Sequence, residues 1–311
     1  MTSTDMDVRL ATPKQYADAF PQHRHIYASP QFTAVNAGKA QAVRHFIGYD
    51  GANPRLGIVL GYANGQWLCP FSAPFGDIEC RKPQALEHIY DFISELRHML
   101  GSDPIRITLP PAFYCPEHYA ALHGVLANFA SKTVWDYNYH YPLEQAADPE
   151  AHMNSQARNK YRNAKLHPYS FATTADIDAA YEVIRLNRQS KGYPLAMSLQ
   201  QVKATVRPQG PVKADFFLLT DTATGENAAA AMAYHAAPGI IQIIYWGDAP
   251  GHAAARPMNL LPFHIFNHYR AAGMRIADIG PSSSAGIPSP GLCRYKESIG
   301  CRLSLKPTFT L

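Results

Sequence analysis

The sequence predicts a mixed α/β (α+β) fold of two units in tandem, each a mixed, mainly antiparallel sheet flanked by helices. Three observations predict it. A βββ-α-β-α-β order of hydrophobic patterns in the first half recurs in the second without obvious sequence identity. The length of 311 residues corresponds to two domains at roughly 150 residues each. The 25 prolines exceed the average of about 5% and break helical patterns too often for a coiled coil or bundle. With 47% apolar and 17% charged residues, the chain has a core to bury and is not of the disordered class.

In the first half, residues 43–49, 56–63 and 67–71 read as a meander, with Asn64-Gly65 as a tight-turn signal. Leu86, Ile89, Tyr90, Ile93 and Leu96 then fall on one helical face. A strand at 105–109, a helix at 117–129 and a closing strand at 133–141 complete the order. The polar stretch 144–150, with Pro149, reads as the connector, so the predicted domains are 1–147 and 148–311. Helices at 176–188 and 198–206 lead into the second meander, at 216–220, 228–235 and 240–246. A helix at 258–272 stopped by Gly273, a strand at 275–279, a helix at 292–299 and a strand at 302–306 follow.

The formal charge is +4, equal to the contribution of one segment: residues 151–175 hold Arg158, Lys160, Arg162 and Lys165 with no acid. Such a chain is not a polybasic nucleic-acid binder, but the segment suits a phosphate or carboxylate. The five cysteines, Cys69, Cys80, Cys115, Cys293 and Cys301, are widely spaced without a C-x-x-C pair and are expected as reduced thiols. Asp5 and Asp7 stand where a signal peptide carries basic residues, and His235 and Pro238 interrupt the most apolar stretch, 228–246. The expectation is a cytoplasmic protein without a membrane span. Nucleotide, dinucleotide, zinc-protease and nucleophile-elbow motifs are absent. His264 and His268 have metal-ligand spacing but no evident third ligand, His23-x-His25 is weaker still, and no metal is expected.

Three groups of residues carry a resemblance. They are the run Pro70-Phe71-Ser72-Ala73-Pro74-Phe75-Gly76 after the first meander, the segment 155–165, and Gly291-Leu292 followed by Tyr295-Lys296 and Gly300. In this order, and with the element order above, the chain resembles the Fem-type family of tandem GNAT-fold acyltransferases over nearly its whole length. The resemblance implies transfer of an acyl group from a thioester donor, acyl-CoA, to an amine on a small-molecule or peptide-like acceptor. An aminoacyl-tRNA donor is the alternative, weakened by the lack of a heptad-repeat arm. A non-catalytic ligand-binding protein on the same fold is the second alternative.

The resemblance also implies site residues. Tyr295 matches the tyrosine whose phenol protonates the departing thiolate, although a core aromatic fits the same pattern. Lys296 matches a family lysine that pairs with a substrate anion. His235 and Asp278 are candidate bases for the attacking amine, or a core histidine and a loop cap. The junction Trp246-Gly247-Asp248-Ala249-Pro250-Gly251-His252, with Arg256, stands where GNAT enzymes hold a pyrophosphate on backbone N–H groups. It departs from the usual Gln/Arg-x-x-Gly-x-Gly/Ala signature. Arg158, Arg162 and Lys165 would share a helical face as an anion site or a plain solvated surface. Ser72, Phe75 and Asp77 from the first half, with Ser282 and Lys296 from the second, are expected to bind the substrate in a cleft between the units. The oligomeric state is not legible.

Overall fold

The computed structural model describes residues 6–311, and Asp5 lies outside them. In chain order the elements are β1 (Asp7–Ala11), α1 (Pro13–Ala19), α2 (Pro30–Asn36), β2 (Ala42–Asp50), β3 (Asn53–Ala63), β4 (Gln66–Cys69), α3 (Leu86–Leu100), β5 (Ile105–Thr108), α4 (Pro116–Phe129) and β6 (Lys132–Pro142). There follow α5 (Ser155–Ala164), β7 (Tyr169–Thr174), α6 (Ile177–Ser190), α7 (Leu199–Val206), β8 (Ala214–Asp221), β9 (Asn227–Ala237) and β10 (Ile240–Asp248). The run ends with α8 (Leu261–Ala271), β11 (Ile276–Pro281), the short β12 (Ser283–Ser284) and β13 (Ile287–Pro288), α9 (Pro290–Ser298) and β14 (Arg302–Thr310).

The chain forms two compact units. The first runs to Tyr137 and takes in Ser283–Ile287 and Ser304–Leu311; the second comprises Asn138–Ser282 and Pro288–Leu303. The exchange of 304–311 into the first unit is an arrangement that no single linear boundary expresses.

In the first unit the strands lie in the order β1-β2-β3-β4-β5-β14. The meander β2-β3-β4 is antiparallel, β4 pairs β5 in parallel, and β5 pairs β14 antiparallel, with Thr108 opposite Thr308. Residues of β2 and β3 are buried on both sides because helices cover both faces. Phe46, Ile58 and Leu60 pack with Ile89, Phe92, Ile93 and Leu96 of α3 and with Tyr119, Leu122 and Leu126 of α4. Each such fully buried side chain contributes about 1.5–3 kcal/mol of transfer free energy. The other face holds Tyr16 and Phe20 against Ile47. There Gly57 is required, since a Cβ would collide with the Phe20 ring.

In the second unit, residues 138–142 of β6 begin the order β6-β11-β10-β9-β8-β7. Strands β7 to β10 are antiparallel, while β10 and β11 run parallel. Residues Ala228 to Ala231 are all fully buried, and their small side chains admit α6, which brings Ala180, Tyr181, Val183 and Ile184 into the core.

Three expectations about local structure are corrected. The stretch 144–150, expected as a polar connector, forms two 3-10 turns, Leu143–Ala147 and Pro149–His152, with Leu143, Gln145 and Ala146 buried. Helix α8 starts at Leu261 rather than 258, because Pro257 opens a separate 3-10 turn over Pro257–Asn259. Strand β14 extends to Thr310, past 306.

Candidate active site

The second unit contains a fork between parallel strands. β10 and β11 pair only at Ile240 with Ile276, Ile241 with Ala277 and Gln242 with Asp278. Beyond Gln242, β10 continues to Asp248 on β9 alone, and a bulge between Ile243 and Tyr245 falls where the pair parts. Bulges re-aim backbone groups and concentrate beside active sites. Asp278 sits at the fork's apex, fully buried. It accepts from Gln242 Nε2 at 2.8 Å, Asn138 Nδ2 at 2.9 Å and its near neighbour Gly280 N at 3.0 Å. The carboxylate expected as a base thus ties β6, β10 and β11 together from a buried position, engaged with the chain's own donors instead of open to a substrate amine.

Lys296 on α9 is also buried, and its Nζ donates to the carbonyls of Ile279 at 3.0 Å, Gly280 at 2.8 Å and Pro281 at 3.2 Å. Burial pulls its pKa down to about 8. The ammonium thus caps the diverging end of β11, where the ladder no longer supplies donors, instead of standing open to a substrate anion. Tyr295, one residue earlier, is half-buried and donates its phenol proton to Met258 O at 2.8 Å. Burial raises its pKa, so the hydroxyl stays protonated at neutral pH. Ser282 is 1% exposed; its carbonyl accepts from Ser289 N, and its hydroxyl lacks a hydrogen-bond partner.

At the far end of β10 a Cβ on Gly247 would overlap the Asn187 side chain. The Asn187 amide lies there and donates to Asp248 O at 2.7 Å and to its carboxylate at 2.8 Å, which Lys191 also meets at 2.8 Å. Trp246, the preceding residue, is half-buried. Gly251 is exposed at φ 91°, and His252 is 3.3 Å from the Glu226 carboxylate. Arg256 is exposed in the left-handed region at φ 56°. Of this group, Gly251 and Arg256 are exposed, whereas Gly247 and His252 have neighbours already in place.

His235 lies elsewhere. It pairs with Ile241, at the start of β10, so roughly 23 Å of strand at ~3.3 Å per residue separates it from Asp248. Its Nε2 is 2.7 Å from Asp215 Oδ2, the oxygen that also accepts from Tyr269 OH at 2.7 Å. Burial raises the Asp215 pKa, but these two hydrogen bonds outweigh it and leave the carboxyl below its usual range. His235 belongs to this network and not to the β10–α8 junction.

The basic segment forms α5, capped by Asn154. Arg158 donates to the carbonyls of Glu150 and Met153, and Arg162 pairs with the Glu150 carboxylate at 2.7 Å. Lys165 lies 5.2 Å from the Tyr161 ring centre. The acid balancing the helix stands one residue before the stretch that contains none, so the two arginines anchor the turn before α5. His264 stacks on Phe171 and His268 meets the edge of Phe217, and no metal-ligand group of three is present among the described residues.

The first unit holds a small pocket, open to solvent, whose lining includes Tyr16, Tyr27, Asn36, Ser72, Asp77 and Glu79. Ser72 Oγ donates to Asn36 Oδ1 at 3.0 Å and accepts from Lys39 Nζ at 2.9 Å. Lys39 and Asn36 were missed by the sequence reading, since neither lies in a motif. Phe75 does not line the pocket: it is 1% exposed, ringed by His25, Tyr27 and Tyr114. The Asp77 carboxylate is buried and paired with His118 at 3.0 Å, which raises the imidazole pKa to about 9 against the lowering by burial.

That pair sets a pH dependence. His118 stabilises the fold fully below its unfolded value of about 6.5, and the contribution is lost as pH rises towards 9. Glu79, raised to about 7 by burial, acts in the same direction at lower pH, while His25, lowered to about 4 by burial, opposes it below 6.5. Stability should therefore fall on the order of 2 kcal/mol between pH 7 and 9. Urea unfolding of wild type and His118→Gln checks this, because the variant should lose that slope.

Neither a family model nor a curated protein matches the sequence. Solved structures do. FemX aligns over 98% of both chains at a TM-score of 0.64 and 9% identity. The C-terminal domain of a putative lysylphosphatidylglycerol synthetase from Agrobacterium fabrum aligns over 96% of this chain and 92% of its own at 0.61 and 10% identity. A tandem GNAT protein from the clavulanic acid biosynthesis pathway aligns over 98% of both at 0.50 and 12% identity. The fold is therefore GNAT-type. More particularly, it is the Fem-like form of that fold, carried by this chain from end to end of the alignment with FemX.

Proposed function

We propose that this protein is an acyltransferase that moves an acyl group from a thioester donor, acyl-CoA, to an amine on a small or peptide-like acceptor. The observation that carries the proposal is the fork after Gln242 and Asp278. An unpaired stretch of β10 backbone presents N–H and C=O groups to an extended, amide-bearing chain, as in strand addition. The pantetheine arm of coenzyme A is such a chain, and Gly251 and Arg256 suit its phosphates. The bound cofactor would supply an activated carbonyl.

The rest is the work of this chain. Asp278 and Lys296 keep the fork open, fixing the strand ends from which binding and orientation are derived. Backbone N–H groups released at the bulge near Tyr245 polarise a carbonyl placed beside them. Tyr295 keeps its proton at neutral pH and would give it to the leaving sulfur of a bound thioester. The Fem-like fold also supports the second reading, with aminoacyl-tRNA as donor.

Thermal unfolding with acetyl-CoA and with charged tRNA separates these readings. A ligand at 100 times its Kd stabilises by about 2.7 kcal/mol. A rise in Tm with acetyl-CoA alone is expected. A rise only with charged tRNA would replace the donor, and no rise with either would leave a non-catalytic protein on this fold.

A further inference from the structure

We propose that Cys80 is a reactive thiol that exchanges with small anionic disulfides, held in place by Arg24, His118 and Asp77. Three separate segments of the first unit bring these groups together. Asp77 and Cys80 lie on the chain after β4, which is pinned to β3 by reciprocal backbone bonds between Gly57 and Glu79 of 2.7 and 2.9 Å. His118 sits in the first turn of α4, and Arg24 lies between α1 and α2.

The geometry is a relay. His118 Nδ1 is 3.8 Å from Cys80 Sγ, and the opposite ring nitrogen, Nε2, is 3.0 Å from Asp77 Oδ1. Arg24 donates to Sγ at 3.0 Å and to the Cys80 carbonyl at 3.1 Å. The same guanidinium reaches towards Asp77 Oδ2 at 3.6 Å. The sulfur thus faces a guanidinium and a carboxylate-backed imidazolium, cations that stabilise the charge passing between sulfurs in an exchange. Beyond these, His25, Tyr119, Tyr16, Cys69 and the His23–Glu79 pair are further titratable groups around the site.

No other described cysteine has this setting. Cys69 is 4% exposed, and burial pushes its thiol up to about 12. Burial raises Cys301 as well. Cys293 donates to the Ser282 carbonyl. Cys80 is 9% exposed, beside a partly exposed Arg24. It is followed by exposed Arg81 and Lys82, which keep its approach positive. Both cations at the site address the sulfur itself. Charge in thiol–disulfide exchange stays on sulfur throughout, whereas a carbonyl electrophile needs donors around an oxyanion.

In the exchange, the Cys80 sulfur attacks one sulfur of RS–SR. A Cys80–S–SR bond forms, the original S–S bond breaks, and RS⁻ leaves. The departing RS⁻ takes up a proton equivalent to the one Cys80 loses, so the sum is Cys80–SH + RSSR → Cys80–S–SR + RSH.

The test uses the full chain and glutathione disulfide, with adducts mapped by mass spectrometry. At pH 6.5, Cys80 should be modified at least about tenfold faster than Cys115 or Cys293. His118→Gln should slow its modification at least about fivefold. Should that variant fold poorly, Arg24→Gln should slow the reaction at pH 6.5 and Arg24→Lys should restore most of it. Modification of Cys115 or Cys293 first, or an unchanged Cys80 rate in a folded His118→Gln or Arg24→Gln variant, would overturn the proposal.

Discussion

Tyr295→Phe lowers kcat about 10²-fold while leaving KM for the acyl donor within a few-fold, if its phenol delivers the proton to the departing thiolate. The hydroxyl now donates to Met258 O, and its removal leaves only one carbonyl short of a partner. Folding should lose no more than about 1 kcal/mol, so activity and stability separate cleanly. Steady-state kinetics with urea unfolding on the same preparation makes the measurement. An unchanged kcat in a folded variant makes Tyr295 a packing residue.

Lys296→Met removes about 3 kcal/mol of stability, because three carbonyls at the end of β11 lose their donor together in a buried place. The substitution keeps the length of the side chain, so the loss reports the ammonium and not a cavity. Chemical denaturation should show it whether or not any ligand is present. A cost under about 1 kcal/mol would mean that water reaches those carbonyls and that the lysine is available for other work.

The contrast between these neighbours shows what was legible in the sequence. Meanders, long helices and their order were readable because alternation and 3.6-residue periodicity are local, as in β2, β3 and α3. Helix α1 was overlooked although Thr12, Pro13 and Gln15 spell a capping box, and α2 although Ser29 caps it ahead of Pro30. Both are short and carry no long apolar stripe. The site was less legible. Which acid or base is available depends on partners distant in sequence. Asn138 and Gln242 close around Asp278, the Met258 carbonyl accepts a hydrogen bond from Tyr295, and Glu150 neutralises Arg162 from one residue outside the acid-free stretch. Ser72 was named from its motif, yet Lys39 and Asn36, which hold it, carry no pattern of their own.

The pairing of β5 with β14 has a consequence for biogenesis. The edge of β5 finds its partner in Thr308, Phe309 and Thr310, about two hundred residues downstream. While a nascent chain emerges, that edge is a row of unsatisfied N–H and C=O groups, the template on which other chains aggregate. The first half of the polypeptide therefore cannot mature on the ribosome ahead of the second. It must wait, shielded by chaperones or by speed, until residue 310 has been made. A gene fragment ending near 147 should accordingly yield insoluble material, and the same fragment supplied in trans with residues 304–311 should be rescued in part.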